Sequence, residues 1–371
     1  MTTDKLAEMK GQGAFEKEDN LAPLTRHGLP VSRRTKKGER KTSGHIFLND
    51  KNLNLNSKKG VKKMKLILKN SLSTILVSFL ALVGLVTFTF SELEAQKGKM
   101  IQIKGSDTMV NLMQILAEEY MNRYPGTAIA VLGGGSGTGI AALINGTCDI
   151  ASTSREWRQR EIDQAWERGV RPRFFVIAID GLSIIVNEKN PIEKLTMPQV
   201  GAIYRGEIKN WRDVGGPGLP IVLYGRQSNS GTYVFMQEHV LGNKNYSPDM
   251  REMNGNAQIV EAVIQDESGI GYVGVGYIFD DKGQIRKGLK VLNIARNEKS
   301  SAFSPLDKAA VDNGNYPVAR PLFLATNGKP SPAVAGFLSF IIGPEGQKIV
   351  EREGFYPISA RHREQNEKNL K

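Results

Sequence analysis

Two glycine-rich turns hold the residues best suited to chemistry. Gly133-Gly134-Gly135-Ser136-Gly137-Thr138-Gly139 lies between a strand-like and a helix-like segment. At such a turn, free backbone N–H groups and the helix dipole can meet an anion, and glycine lets the backbone come close to it. The loop is not a Walker motif, because Ile140 follows Gly139 and no Gly-Lys-Ser/Thr is present. Nor does any glycine triple in it have the offsets of a dinucleotide fingerprint. A tight turn without a ligand is the competing reading.

The second turn, Gly225-Arg226-Gln227-Ser228-Asn229-Ser230-Gly231-Thr232, follows an apolar strand and precedes a helix expected over Tyr233 to Leu241. Arg226 offers a planar, charged donor fork that suits a tetrahedral oxyanion. Ser230 and Thr232 add hydroxyls, and the Ser230–Thr232 amides sit at a helix start. The alternative is that Ser230 only caps the helix and Arg226 lies on the surface. A third turn, Gly105-Ser106-Asp107-Thr108-Met109, has the same placement. Together the three predict helix N-termini aimed at a single anion.

The elements that must carry these turns alternate. Met100–Gly105 reads as a short apolar strand, and Met109, Leu112, Met113, Leu116 and Tyr120 have the spacing of one helix face. Tyr124-Pro125-Gly126 ends that helix. TAIAVLG returns as a strand, and a second helix closes at Asn145-Gly146. Further strands are expected at Phe174–Ile179, Leu182–Asn187, Ile221–Tyr224, Ile270–Val275 and Pro321–Leu324. This βαβα rhythm predicts an α/β fold with a partly parallel sheet.

Composition narrows the class. The 371 residues are 40% hydrophobic and 24% charged, which disfavours global disorder and a polytopic membrane protein. The single cysteine, Cys148, excludes a disulfide framework and any cysteine-based metal site. Of the net charge of +12, residues 1–63 carry +8, so the basic character does not argue that the folded part binds nucleic acid. Those 63 residues lack apolar periodicity and read as a disordered basic extension. Residues 64–95 place lysines, the uncharged run Ser71–Phe90, then small and acidic residues in the order of a secretory signal. A retained single-span anchor through residues 71–90 is the rival reading, since 20 apolar residues can cross a bilayer. A signal normally begins a chain, so Met64 is an alternative start.

In IKGSDTM (103–109), GGGSGTGIAALINGTCDIASTSRE (133–156), GRQSNSGTYVFMQEHVL (225–241), GIGYVG (269–274), YPVARPLFLATNGKPS (316–331) and GPEGQKIVEREGFYPI (343–358), the chain resembles the periplasmic phosphate-binding proteins of bacterial ABC phosphate importers. The resemblance runs in order through nearly all of residues 99–358. It implies a type II periplasmic-binding-protein fold, with two α/β lobes joined by two crossover strands and the ligand in the cleft. Residues 97–182 plus 321–371 would form one lobe and 183–320 the other.

Carried over by position, the resemblance implies that Ser106, Thr108 and the Met109 amide hold one phosphate oxygen, and Ser136 with the Gly137 amide another. Arg226, Ser230, Gly231 and Thr232 match the family's Arg-x-x-x-Ser-Gly-Thr spacing. Charge-assisted bonds contribute about 1.5–3 kcal/mol net each, so four or five support micromolar or tighter binding. Better-known members place an aspartate acceptor where this chain has Ser154 and Arg155, which are counted among the expected phosphate-binding residues; Asp107 is the candidate replacement acceptor, with helix capping as its alternative role. Asp149 is expected to brace a turn and Trp211 to pack.

No metal or cofactor is implied. The expected partners are inorganic phosphate and an inner-membrane ABC-type permease, with no nucleic acid, for a periplasmic monomer. A sensor or adhesin on the same fold is the alternative. A hydrolase is disfavoured: of four histidines only His239 lies within the resemblance's core, and no Gly-x-Ser-x-Gly elbow accompanies Ser136 or Ser230.

Overall fold

The computed structural model describes residues 100–371; the expected basic extension and the signal or anchor segment lie outside the described residues. Thirteen strands run in chain order among them: β1 Ile101–Gly105, β2 Ile129–Leu132, β3 Ile150–Thr153, β4 Pro172–Gly181, β5 Ser183–Asn187, β6 Lys194–Thr196, β7 Val222–Arg226, β8 Arg251–Met253, β9 Gly269–Val273, β10 Leu289–Val291, β11 Asn293–Ala295, β12 Ala302–Phe303 and β13 Ala319–Asn327. They form two five-stranded sheets, ordered β2-β1-β3-β13-β4 and β10-β5-β9-β7-β8, and a small third sheet, β12-β11-β6.

Each large sheet mixes directions. β1 runs parallel to β2 and β3, as strands joined by crossover helices must. β13 then inserts antiparallel between β3 and β4. In the second sheet β7 is parallel to β8 and β9, while β5 runs antiparallel to both of its neighbours, β9 and β10. The result is a two-lobed α/β fold of the periplasmic-binding-protein kind. The chain leaves the first sheet where β4 ends at Gly181 and enters the second at Ser183; it returns through β13.

Apolar periodicity accounts for the packing. In the helix Val110–Arg123, Leu112, Met113, Leu116, Ala117 and Tyr120 fall on one face and are buried. They join Ile103, Phe175, Phe337 and Val350 in one core. The second core gathers Ile184, Tyr204, Trp211, Met236, Tyr272 and Leu292. Trp211 packs there as expected, wholly buried, with its indole N–H donating to Ser268 O at 3.0 Å.

Element ends differ from the sequence expectations for local reasons. The helix expected from Tyr233 starts at Gly231, because the Ser230 hydroxyl accepts from the Thr232 and Tyr233 amides and so sets the cap two residues earlier. β13 extends to Ala319–Asn327 because it has partners on both sides, with a bulge between Leu322 and Phe323. Val275 leaves β9 for a short 3-10 turn, Val275–Tyr277. Asp149 braces two strands, its Oδ2 accepting from the Gln102 amide at 2.9 Å. Among the described residues no helix is long and apolar enough to cross a membrane.

Candidate functional site

All three turns stand at the C-terminal ends of parallel strands, where α/β sheets place their ligands. At the first, Gly105 has φ +144° and passes so close to β3 that a Cβ would overlap Ser152 O. No side chain caps the helix that begins at Val110. At the second, Gly134 and Gly135 have φ +110° and +92°, a reversal other residues rarely adopt, and the helix Ser136–Ile144 also starts without a side-chain cap. The N-cap positions of these two tips therefore carry no capping side chain, although the Gly137 amide of the second already bonds to Asn229 O. The third tip, at Gly231, is capped by Ser230.

The tips meet. Thr108 Oγ1 and Thr232 Oγ1 are 2.9 Å apart, across 124 residues of chain. Gly231 faces Ser136 and Ser154 so closely that a Cβ there would overlap Ser136 Oγ and come within 2.7 Å of Ser154 Oγ. Ser136 Oγ in turn accepts from the Ser154 amide at 3.1 Å. Asn229 closes the junction: its O accepts from the Gly137 amide at 3.0 Å and its Nδ2 donates to Gly134 O at 2.8 Å. First-sheet and second-sheet tips thus converge in one closed arrangement.

Arg226 lies inside this junction, only 1% exposed, not on the surface. Its Nη2 donates to Asp107 Oδ2 and to Asn254 O, its Nε to Met253 O, and its backbone N–H to the Tyr272 hydroxyl. Burial pushes the Tyr272 phenol up to about 12, so it stays a neutral hydroxyl at physiological pH. Asp107 does not cap its helix: Oδ1 accepts from the Gly134 amide at 2.6 Å and Oδ2 pairs with Arg226. Helix capping was the local solution, and a long-range cation displaces it.

The remaining expected residues divide. Ser106, Thr108, Ser136, Ser154, Ser230, Gly231 and Thr232 gather at or beside the junction and are buried. The Met109 amide bonds to Ser106 O at 3.1 Å, and the Gly137 amide is taken by Asn229. Arg155 turns away: its two terminal nitrogens grip Glu161 at 2.7 Å each, and Nη1 also donates to Glu156 O. Burial alone would raise the Glu161 pKa, but the Arg155 pair and the Arg158 amide bring it below the ordinary carboxylate range.

Four buried nitrogens and oxygens around the junction have no hydrogen-bond partner: Ser106 Oγ, Arg226 Nη1, Arg320 Nη1 and Asn256 Nδ2. The three nitrogens can only donate, and the hydroxyl is able to. A buried donor left unpaired is costly, so the site is built for something that accepts.

The PBP superfamily domain matches residues 91–345. The phosphate-binding protein PstS of Pseudomonas aeruginosa is 35% identical over 284 residues, covering 72% of this chain and 85% of the relative. The chain belongs to the PstS family. Among solved structures, a Clostridium perfringens substrate-binding protein ascribed to phosphate ABC transport, with phosphate bound, has a TM-score of 0.62 at 28% identity. That match covers 70% of this chain and all of the other. An ABC-type phosphate transport receptor from Vibrio cholerae gives 0.56 at 27% identity, with 70% and 100% covered.

For this PstS-family chain, sequence reasoning passed over Asn229, Asn256, Asp180 and Arg320. Asp180 and Arg320 carried a signal. Each is a lone charge inside an apolar strand, in VIAIDGLSIIV and PVARPLFLA, and a charge buried on a strand needs an opposite partner. They are register partners on β4 and β13. Arg320 Nε and Nη2 donate to Asp180 Oδ2 at 3.0 and 2.9 Å. Burial lowers the Arg320 pKa from its ordinary value, against the pull of Asp180.

Proposed function

We propose that the chain is an exported solute-binding protein that captures inorganic phosphate between its lobes and delivers it to an ABC-type permease. The observation that carries this reading is the meeting of three helix tips around a buried arginine whose Nη1 has no partner. Such a group of donors matches a tetrahedral oxyanion. The names of the Pseudomonas and Vibrio relatives and the phosphate bound in the Clostridium structure support phosphate as that anion. The ligand set is Ser106, Thr108, Ser136, Arg226, Gly231 and Thr232, with Asp107 as acceptor. Ser154 and Ser230 brace the tips, and Arg155 acts through Glu161 on the fold.

Residues 100–182 with 321–371 and residues 183–320 move as two bodies about the crossings at β4–β5 and β13. Closing them removes the anion from water, which strengthens every contact. Export rests on the sequence pattern of residues 64–95. The protein binds and releases its ligand unchanged. Calorimetry with phosphate tests the reading: a single site of micromolar affinity or tighter is expected, with no phosphate released from p-nitrophenyl phosphate. Absence of binding, or turnover of the ester, contradicts it.

Asp107 gives the site its selectivity. Each of its oxygens already accepts one bond yet keeps a lone pair, so it can take the proton of hydrogen phosphate, which sulfate does not carry. Asp107→Asn replaces one acceptor oxygen with a donor. Phosphate affinity is expected to fall about tenfold or more while sulfate affinity rises. Parallel titrations with the two anions check this, and an unchanged phosphate-to-sulfate ratio removes Asp107 from the role.

A further inference from the structure

We propose that Arg320, which lies outside the ligand set given above, is a positioning residue of the anion site. It fixes the Thr232 hydroxyl as a donor to the bound anion, and Asp180 holds it in place across the two crossing strands. The inference rests on the phosphate reading and adds to it the polarity of one contact.

Arg320 Nη2 donates to Thr232 Oγ1 at 3.0 Å. A guanidinium has five N–H donors and no acceptor, so in this bond the hydroxyl oxygen must accept. The hydroxyl proton is then directed elsewhere. In the closed arrangement the other atom within reach is Thr108 Oγ1, at 2.9 Å on the opposing tip. An anion oxygen entering between the two tips would receive that proton. A threonine hydroxyl otherwise rotates freely and can donate or accept; one buried guanidinium occupies one of its two lone pairs and so turns its proton away from Arg320.

The fork itself is held firmly. Arg320 is 2% exposed and Asp180 0%. Asp180 Oδ2 accepts both Arg320 bonds, and Oδ1 accepts from the Val275 amide at 2.9 Å, just beyond β9 of the second sheet. The Arg320 guanidinium also lies 5.2 Å from the Phe235 ring, on the helix that begins at Gly231. The pair therefore links both crossing strands to the third tip. A sheet staple alone would need the Asp180 bonds; the reach to Thr232 is what a positioning role requires.

A double-mutant cycle on the full chain separates the two roles. Phosphate affinity is measured by calorimetry for the wild type, Arg320→Gln, Thr232→Val and the double variant, with thermal unfolding of each. Arg320→Gln is expected to weaken phosphate binding about tenfold or more when Thr232 is present. In the Thr232→Val background the same change should alter affinity less than about twofold. An equal loss in both backgrounds overturns the proposal, because a residue that only staples the strands, or whose unpartnered Nη1 meets the anion directly, acts whether or not the hydroxyl is there. Should Arg320→Gln fail to fold, Asp180→Asn with Arg320→Gln removes both buried charges together, and the same comparison in the two Thr232 backgrounds decides. A wild type that binds no phosphate overturns the phosphate reading and this role with it. Binding by the wild type with an additive cycle overturns this role alone.

Discussion

Arg226→Ala is expected to weaken phosphate binding by at least about tenfold. The guanidinium is buried at the meeting point of the tips, with Nη2, Nε and the backbone amide engaged and Nη1 unpartnered. One charge-assisted bond to an anion is worth about 1.5–3 kcal/mol net, a factor of ten to more than a hundred. Truncation has a second effect in the same direction. Asp107 loses its cation, so the entering anion meets a carboxylate that Arg226 no longer offsets. Arg226→Lys should fall between the two, because an ammonium restores charge without the planar fork. Calorimetric titration checks the series, and unchanged affinity in Arg226→Ala would remove the residue from the site.

Gly231→Ala should disfavour closure while leaving the fold intact. The residue is the first of its helix, and it has no positive φ that an alanine would resist. Alanine in fact favours a helix more than glycine does. The added Cβ meets its obstacle across the cleft, overlapping Ser136 Oγ and lying 2.9 Å from Ser136 Cβ. Such overpacking costs about 1–3 kcal/mol, all of it falling on the closed form. Phosphate affinity is expected to drop about five- to a hundredfold with the unfolding temperature unchanged or slightly raised. Small-angle scattering supplies an independent check: at a phosphate concentration that saturates only the wild type, phosphate should compact the wild type and not the variant. Equal compaction of both would show that the tips do not close on each other as described.

These two residues also show what was legible beforehand. Gly231 and Arg226 sit in a turn whose glycine, hydroxyl and arginine types advertise anion binding, and the strand before and helix after it follow from apolar periodicity. The same holds for the Ser106 and Ser136 turns. What sequence could not supply was the partner of each charge. Arg155 adjoins Ser154 in the chain and so looked like part of the site, yet its guanidinium is claimed by Glu161, six residues on in the next helix. Asp107 sits where a cap belongs, and a cation 119 residues away takes it instead. Asp180 and Arg320 are 140 residues apart and become neighbours only through the register of β4 and β13. Local pattern fixes elements and turns; long-range pairing decides which charges remain for a ligand.

The most direct test is a crystal structure of the protein grown with phosphate. Tetrahedral density is expected between the three tips, within hydrogen-bonding distance of Thr108, Ser136, Arg226 and Thr232 and touching Asp107. Phosphate bound elsewhere, or tips that face separate directions with no shared cavity, would contradict the account.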